Sequence, residues 1–258
     1  MSTTEVSQTY SQLGSSLIET LYGDDYLSIG GKTSTDLLVS QAGITKDTRV
    51  LDVGSGLGGP ALHLAETHGC SVTGLDIVET NVCEANRRAN ARSLGHLVTF
   101  QLGDATAMPF ETAQFDLVMG QDAWCHVPDK DTLIEECARV VTPGGTLAFT
   151  DWLQVGKMAA DERGIILAAI TAPNLATSNG YRDLLQKHGF TISRQDDISA
   201  IFIDQYRDIM AKLKAMKAEV SENISPKVYA ILLDKNTTIL DAFEQSKMGG
   251  ERLIATKA

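Results

Sequence analysis

The chain has no paired cysteines. Its four cysteines, Cys70, Cys83, Cys125 and Cys137, include no CxxC pair. Neither a zinc site nor a thioredoxin-type motif is expected. Thiols this sparse fit a reducing compartment, so a cytoplasmic location is expected. Basic residues are also few, with 22 Lys+Arg against 33 Asp+Glu and a formal net charge of −11. Nucleic acid and anionic lipid surfaces both need basic patches, so neither is an expected partner. No apolar run reaches the ~18 residues of a membrane helix. The first ten residues lack the basic and then apolar pattern of a signal peptide. His63, His68, His96 and His188 are scattered without ligand spacing, so no metal is expected. Apolar residues make up 43% of the 258, enough to build a substantial core.

Glycine is what the chain does have, in one concentrated place. Val50 to Gly59 read V-L-D-V-G-S-G-L-G-G, and Pro60 follows. A short apolar run ends in a loop with four glycines in six positions. This reads as a strand turning tightly into a helix, with bare backbone that a ligand can approach. Proline at the first helical position costs no hydrogen bond.

Around this loop, strand-like and helix-like segments alternate. Strands are expected at 49–53, 71–76, 97–102, 115–119 and 146–151. Helices are expected at 60–67, 79–93 and 130–140. That alternation predicts an α/β fold, a Rossmann-like, doubly wound and mostly parallel sheet with helices on both faces. Residues 1–45 read as an N-terminal helical cap and 46–152 as a cofactor-binding core. Helical segments are expected at 163–171 and 181–188, then a strand at 190–193. A single long helix over 202–221 and another over 226–244 follow. Residues 153–250 are thus read as an inserted helical lid with substrate-side helices, and 251–258 as a closing strand, all in a single domain.

Gly54, Gly56 and Gly59 satisfy G-x-G-x-x-G, and Asp76 ends the next strand 22 residues after Gly54. An acid there suits a ribose diol. Dinucleotide-binding proteins and methyltransferases share this much. Two more acids, Asp104 and Asp122, follow the third and fourth strands. Ala105 and Met108 offer apolar walls beside Asp104. Each acid alone is also a common turn or cap residue. Three of them crowning successive strand ends point to a ligand edge.

Taken together, V-L-D-V-G-S-G-L-G-G, G-L-D at 74–76, G-D-A-T-A-M-P-F, Q-D-A-W-C-H and T-P-G-G-T-L-A-F-T-D-W resemble the class I S-adenosylmethionine-dependent methyltransferases. The resemblance spans roughly 48–152. The segment Tyr22–Gly31 is similar to phosphoethanolamine N-methyltransferases. The stretches at 121–130 and 136–140 are similar to sarcosine/dimethylglycine N-methyltransferases. The resemblance implies S-adenosyl-L-methionine as cofactor, S-adenosyl-L-homocysteine as product, and a small-molecule acceptor. A monomer or homodimer is expected.

The same resemblance implies roles. Leu27 and Ser28 match a segment that closes over the methionine end, with Asp52, Gly54, Ser55 and Gly56 beside it. Asp76 and Ile77 match the ribose acid and its adenine neighbour. Asp104 and Ala105 match adenine contacts, and Gln121 a further cofactor contact. Tyr10, Asp122 and His126 match acceptor-side catalytic positions, with Trp124 and Trp152 in the acceptor pocket. The chain departs from the phosphoethanolamine pattern where a phosphate is held. Thr171, Pro173 and a residue near Ile239 stand in place of an Arg, a Tyr and a Lys.

The implied reaction is in-line methyl transfer to the nitrogen of a small amine, of glycine-derivative or amino-alcohol type. An ammonium has no lone pair and must first lose a proton, a task suited to His126. Tyr10 is expected to hydrogen-bond His126, and Asp122 to attract the amine. Trp124 and Trp152 are expected to offer aromatic faces to a methylated ammonium. Carbon, oxygen and sulfur acceptors fit the same cofactor residues, so they stay open as alternatives. A nicotinamide-dependent reductase and a non-catalytic binding protein also remain.

Overall fold

The apolar run Val50–Val53 suits a parallel strand covered on both faces. In a computed structural model, which describes residues 3–258, β1 (Arg49–Val53) has its last four residues buried. Helices α1 (Thr3–Thr9), α2 (Gln12–Tyr22) and α3 (Gly31–Val39) precede it. Met1 and Ser2 of the expected cap lie outside the described residues. Next come α4 (Gly59–His68), β2 (Ser71–Asp76), α5 (Glu79–Ala91), β3 (Val98–Leu102), β4 (Phe115–Gln121), α6 (Lys130–Val140) and β5 (Val141–Gln154). The chain continues through α7 (Ala160–Ala169), α8 (Ser178–Lys187), β6 (Phe190–Asp197), α9 (Ser199–Ala215), α10 (Lys217–Asn223), α11 (Pro226–Glu244) and β7 (Met248–Lys257).

The seven strands form one sheet in the order β3-β2-β1-β4-β5-β7-β6. Only β7 runs antiparallel to its neighbours. The expected Rossmann-like, mostly parallel sheet is therefore present. Strand order reverses between β1 and β4, and the crevice at their carboxyl ends is where such sheets take ligands.

Three expectations about elements change. The closing strand starts at Met248, before the expected residue 251. Gly249 and Gly250 are strand residues held bare by α9: a Cβ on Gly250 would sit 2.6 Å from the Phe202 ring. The single helix expected over 202–221 is two helices, α9 and α10, meeting at Met216. No proline or glycine marks that break; both pieces pack on α11. The stretch 153–250 also divides. Tyr181 and Leu185 of α8 and Phe190 of β6 bury in the sheet's own cluster. Helices α9 to α11 build a separate core, with Ile209, Leu213, Tyr229 and Phe243 around Trp152. That three-helix unit between β6 and β7 is the inserted lid.

Candidate functional site

A cavity of about 260 Å³ opens at the β1/β4 reversal. Tyr10, Leu27, Ser28, Asp52, Gly54, Ser55, Gly56, Asp76, Ile77, Asp104, Ala105, Gln121, Asp122, Trp124 and His126 all line it. Residues spread over 116 positions of sequence thus converge on one space. Trp152 is not among the lining residues.

The floor is the loop after β1. Gly54 has φ +81°, and a Cβ there would lie 2.4 Å from Ala123 Cβ. Only glycine permits both that angle and that approach. The loop is tied to β2 by the Asp76 carboxylate, which accepts from the Gly56 N–H at 2.7 Å and the Val78 N–H at 2.9 Å. Burial raises the Asp76 pKa against these bonds. Asp52 is 1% exposed, and neither of its carboxylate oxygens has a hydrogen-bond partner. Burial, with the Asp76 charge nearby, pushes its pKa up to about 7. Ser55 Oγ is likewise buried without a partner. On the third strand end, Asp104 Oδ1 accepts from Thr106 N–H and Oγ1–H, both at 2.8 Å.

The roof is the segment 23–31, which carries Leu27 and Ser28. Asp122 holds it from below: Oδ2 accepts from the Ile29 N–H at 2.9 Å, and Oδ1 from Thr150 Oγ1 at 2.6 Å. Asp122 itself sits at φ +55°, an uncommon conformation for a residue with a side chain. Its buried carboxyl is pushed up to about 7. Gln121 helps, accepting from Thr35 Oγ1 at 2.9 Å and donating to the Ile29 carbonyl at 3.4 Å. At the outer rim Arg88 of α5 pairs with Glu19, and with Asp25 at 3.0 Å. Arg92 pairs with Asp25 at 2.5 Å.

The far end holds a histidine with a determined tautomer. His126 Nδ1 lies 3.0 Å from the Thr171 carbonyl, and Nε2 lies 2.9 Å from Tyr10 Oη. A carbonyl only accepts, so Nδ1 carries the proton and donates. Burial pushes the His126 pKa down to about 4, so the ring is neutral near pH 7. Nε2 then has a lone pair, and the Tyr10 hydroxyl donates to it. Burial raises the Tyr10 pKa well above its ordinary value.

The two tryptophans do not form the expected aromatic face. Trp152 packs against Phe202, Tyr206 and Phe243 in the lid core. The Trp124 ring is 1% exposed, stacks on Phe149 at 4.3 Å, and donates to the Val53 carbonyl at 3.1 Å. The two rings belong to different core clusters. Asp122, expected to face an amine, has both oxygens engaged by the protein. Sequence reasoning missed Val6, Asn81, Pro128 and the Thr171 carbonyl. Asn81 lines the cavity and accepts from Ser15 Oγ at 2.8 Å; nothing in its local sequence signals this.

The donor set suits a cationic nucleoside ligand. Two buried polar groups of the floor, Asp52 and Ser55, are unpartnered among the described residues. Six aspartates line the cavity, and no lysine or arginine does among the described residues. No group of three metal-ligating side chains occurs among the described residues, and no helix is long and apolar enough to cross a membrane.

Comparison with known proteins agrees with this geometry. Residues 51–149 match a family described as a methyltransferase domain. A glycine/sarcosine/dimethylglycine N-methyltransferase of Actinopolyspora halophila is 28% identical over 76% of this chain, which spans about a third (34%) of that protein. The phosphoethanolamine N-methyltransferase of Plasmodium falciparum is 29% identical over 74% of this chain and 71% of its own length. The crystal structure of a putative sarcosine dimethylglycine methyltransferase from Galdieria sulphuraria superposes with a TM-score of 0.81, at 25% identity, covering 88% of this chain and 86% of that one. Domain match, sheet topology and relatives agree in indicating an S-adenosylmethionine-dependent methyltransferase, with its methyltransferase domain matched over residues 51–149.

Proposed function

We propose that the protein transfers a methyl group to the nitrogen of a small amine, with Tyr10 and His126 managing the acceptor's proton. The observation that carries this reading is the Tyr10–His126 hydrogen bond at the cavity end beside Asp122. S-Adenosylmethionine, when bound, supplies an activated methyl on a sulfonium, so the protein's share is alignment and exclusion of water.

Asp76 is assigned to the ribose hydroxyls, since each carboxylate oxygen keeps a lone pair beyond its backbone bond. Ile77, Asp104 and Ala105 are assigned to the adenine. Leu27, Ser28 and the Gly54–Gly56 loop are assigned to the methionine end, with the unpartnered Asp52 carboxylate as counter-charge to its ammonium. Gln121 acts on the cofactor through the roof it holds.

An amine needs a free lone pair to attack. His126 is held near 4 and Tyr10 well above 10, so neither stores charge for long. The pair therefore works as a relay. Tyr10 Oη takes the acceptor's proton while giving its own to His126 Nε2, which becomes a transient imidazolium and leaves the amine's lone pair free to attack. The absence of lysine and arginine from the described lining suits an amino alcohol better than a phosphate or carboxylate bearer. A hydroxyl acceptor is the second reading. It is favoured by Asp122, whose buried carboxyl is pushed up to about 7 and so carries less charge to draw a cation.

The test is a labelled-methyl assay on paired acceptors, such as ethanolamine with phosphoethanolamine. Label on nitrogen of the uncharged-tail members supports the reading. Label on oxygen or carbon, or preference for the phosphorylated member, overturns it.

A further inference from the structure

Thr171 occupies a position where threonine is a poor choice. It follows α7, with the Ala172 N–H bonding the Leu167 carbonyl at 3.0 Å and its own N–H bonding the Ala168 carbonyl at 3.3 Å. These are the paired bonds of a Schellman ending, whose turn residue is usually glycine. Thr171 adopts the left-handed conformation that this turn requires, at φ +54°. For a β-branched side chain that is a strained backbone, and strain of this kind collects at working sites.

Its two oxygens show what the strain accompanies. The main-chain carbonyl, turned by the left-handed conformation, accepts from His126 Nδ1 at 3.0 Å. The side-chain hydroxyl lies 3.1 Å from the hydroxyl of Thr9. Thr9 ends α1 and directly precedes Tyr10, the other partner of His126. A glycine would make the same turn and present the same carbonyl, but it would have no hydroxyl to reach α1.

From this we infer that Thr171 is a positioning residue that couples the docking of α1 to the orientation of His126. Its carbonyl holds the imidazole with Nε2 unprotonated and facing the cavity, and its hydroxyl holds Thr9 so that the Tyr10 phenol meets Nε2. The inference rests on the proposed Tyr10–His126 relay for its functional meaning. The coupling itself is measurable without any acceptor.

The experiment compares Thr171→Gly, Thr171→Ser and Thr9→Val. Two readouts are used: amide exchange at Val6 to Tyr10, and the ¹⁵N shifts of the His126 ring. Thr171→Gly keeps the turn and removes its strain, so overall stability should hold or rise. Exchange at the Tyr10 amide, bonded to the Val6 carbonyl, should nevertheless quicken about fivefold, the size of one lost hydrogen bond. His126 Nε2 should shift as the phenol leaves, while Nδ1 stays protonated. Thr9→Val should give the same pattern, and Thr171→Ser should restore the native one. Unchanged exchange and ring shifts in both Thr171→Gly and Thr9→Val overturn the inference, as does failure of serine to rescue. Thr9→Val carries the test if Thr171→Gly does not fold. Turnover of Tyr10→Phe judges the relay separately, so a failed relay and a failed coupling are distinct results.

Discussion

Tyr10 donates to His126 across 2.9 Å, although 116 residues separate them in the chain. Their rings meet edge to face, with centroids 5.3 Å apart. The contact is possible because α1 and α2 fold back over the crevice while the turn after β4 places His126 at its far end.

Removing either partner should cost turnover and leave the cofactor alone. Tyr10→Phe and His126→Ala are each expected to lower kcat by about 10²- to 10⁴-fold, the usual worth of positioned proton transfer. The double variant should be little worse than either single one, because the two act as a unit. Calorimetric titration with S-adenosylmethionine should give unchanged affinity. A large loss of that affinity would place the pair in cofactor binding instead.

Asp76→Ala should weaken S-adenosylmethionine binding by at least about tenfold, since hydrogen bonds to a charged group are worth about 1.5–3 kcal/mol. The same carboxylate bonds Gly56 and Val78, so a lower melting temperature is also expected. Asp76→Asn, which keeps acceptor capacity on one oxygen, should fall between. Equal affinity for wild type and Asp76→Ala would remove the ribose assignment.

The stability of the free protein should fall as pH rises from about 4 to about 7, and level off above that. The sign follows from the raised values of Asp52 and Asp122, each about 7. A carboxyl with a raised folded pKa stabilises fully below its unfolded value, and that contribution is lost as pH climbs through the folded one. Asp52→Asn should flatten the fall and stabilise the free protein at pH 8 by on the order of 2 kcal/mol. His126 acts in the opposite direction over an overlapping range, from 6.5 down to about 4. Its depressed value, about 4, adds stability above the ordinary histidine range that is lost as pH falls toward 4. Denaturant melts of wild type, Asp52→Asn and His126→Ala between pH 4 and 8 would separate the two contributions. S-Adenosylmethionine should stabilise more at pH 8 than at pH 5.

The ion pairs at the rim should set how fast the roof opens. Arg88 and Arg92 fasten Glu19 and Asp25 to α5. Arg88→Met is expected to speed S-adenosylhomocysteine release about fivefold at low salt, equivalent to ~1 kcal/mol of partly solvated pairing. High salt should narrow the difference by screening the wild-type pairs. Stopped-flow displacement would measure it; identical rates at low salt would mean the clasp is not what the cofactor waits for.

Most of the cavity floor was legible in the sequence because its signals are local. A strand ending in an acid, a glycine turn and a proline-led helix are each written in a few adjacent residues, and Asp76 and Asp104 follow from where strands end. The lid was only partly legible. Lys214-Ala-Met-Lys217 reads as continuous helix, and the break at Met216 comes from packing on α11. The expected closing strand left out Gly249-Gly250, because the ring of Phe202, which keeps Gly250 bare, lies 48 positions away.

By itself, then, the sequence determined the alternating α/β order, the glycine loop and the row of acids. Backbone conformation and strand ends depend on near neighbours, so a single chain states them directly. Only the tertiary structure decided what those side chains do. It took the oxygens of Asp122 for Ile29 and Thr150, buried Trp152 in the lid core, and brought the carbonyl of Thr171 to His126. These are long-range contacts, and burial together with the competition for each donor and acceptor settles them. The row of acids could be read along the chain, whereas the imidazole tautomer at the cavity's far end exists only once α1, the β4 turn and the end of α7 meet.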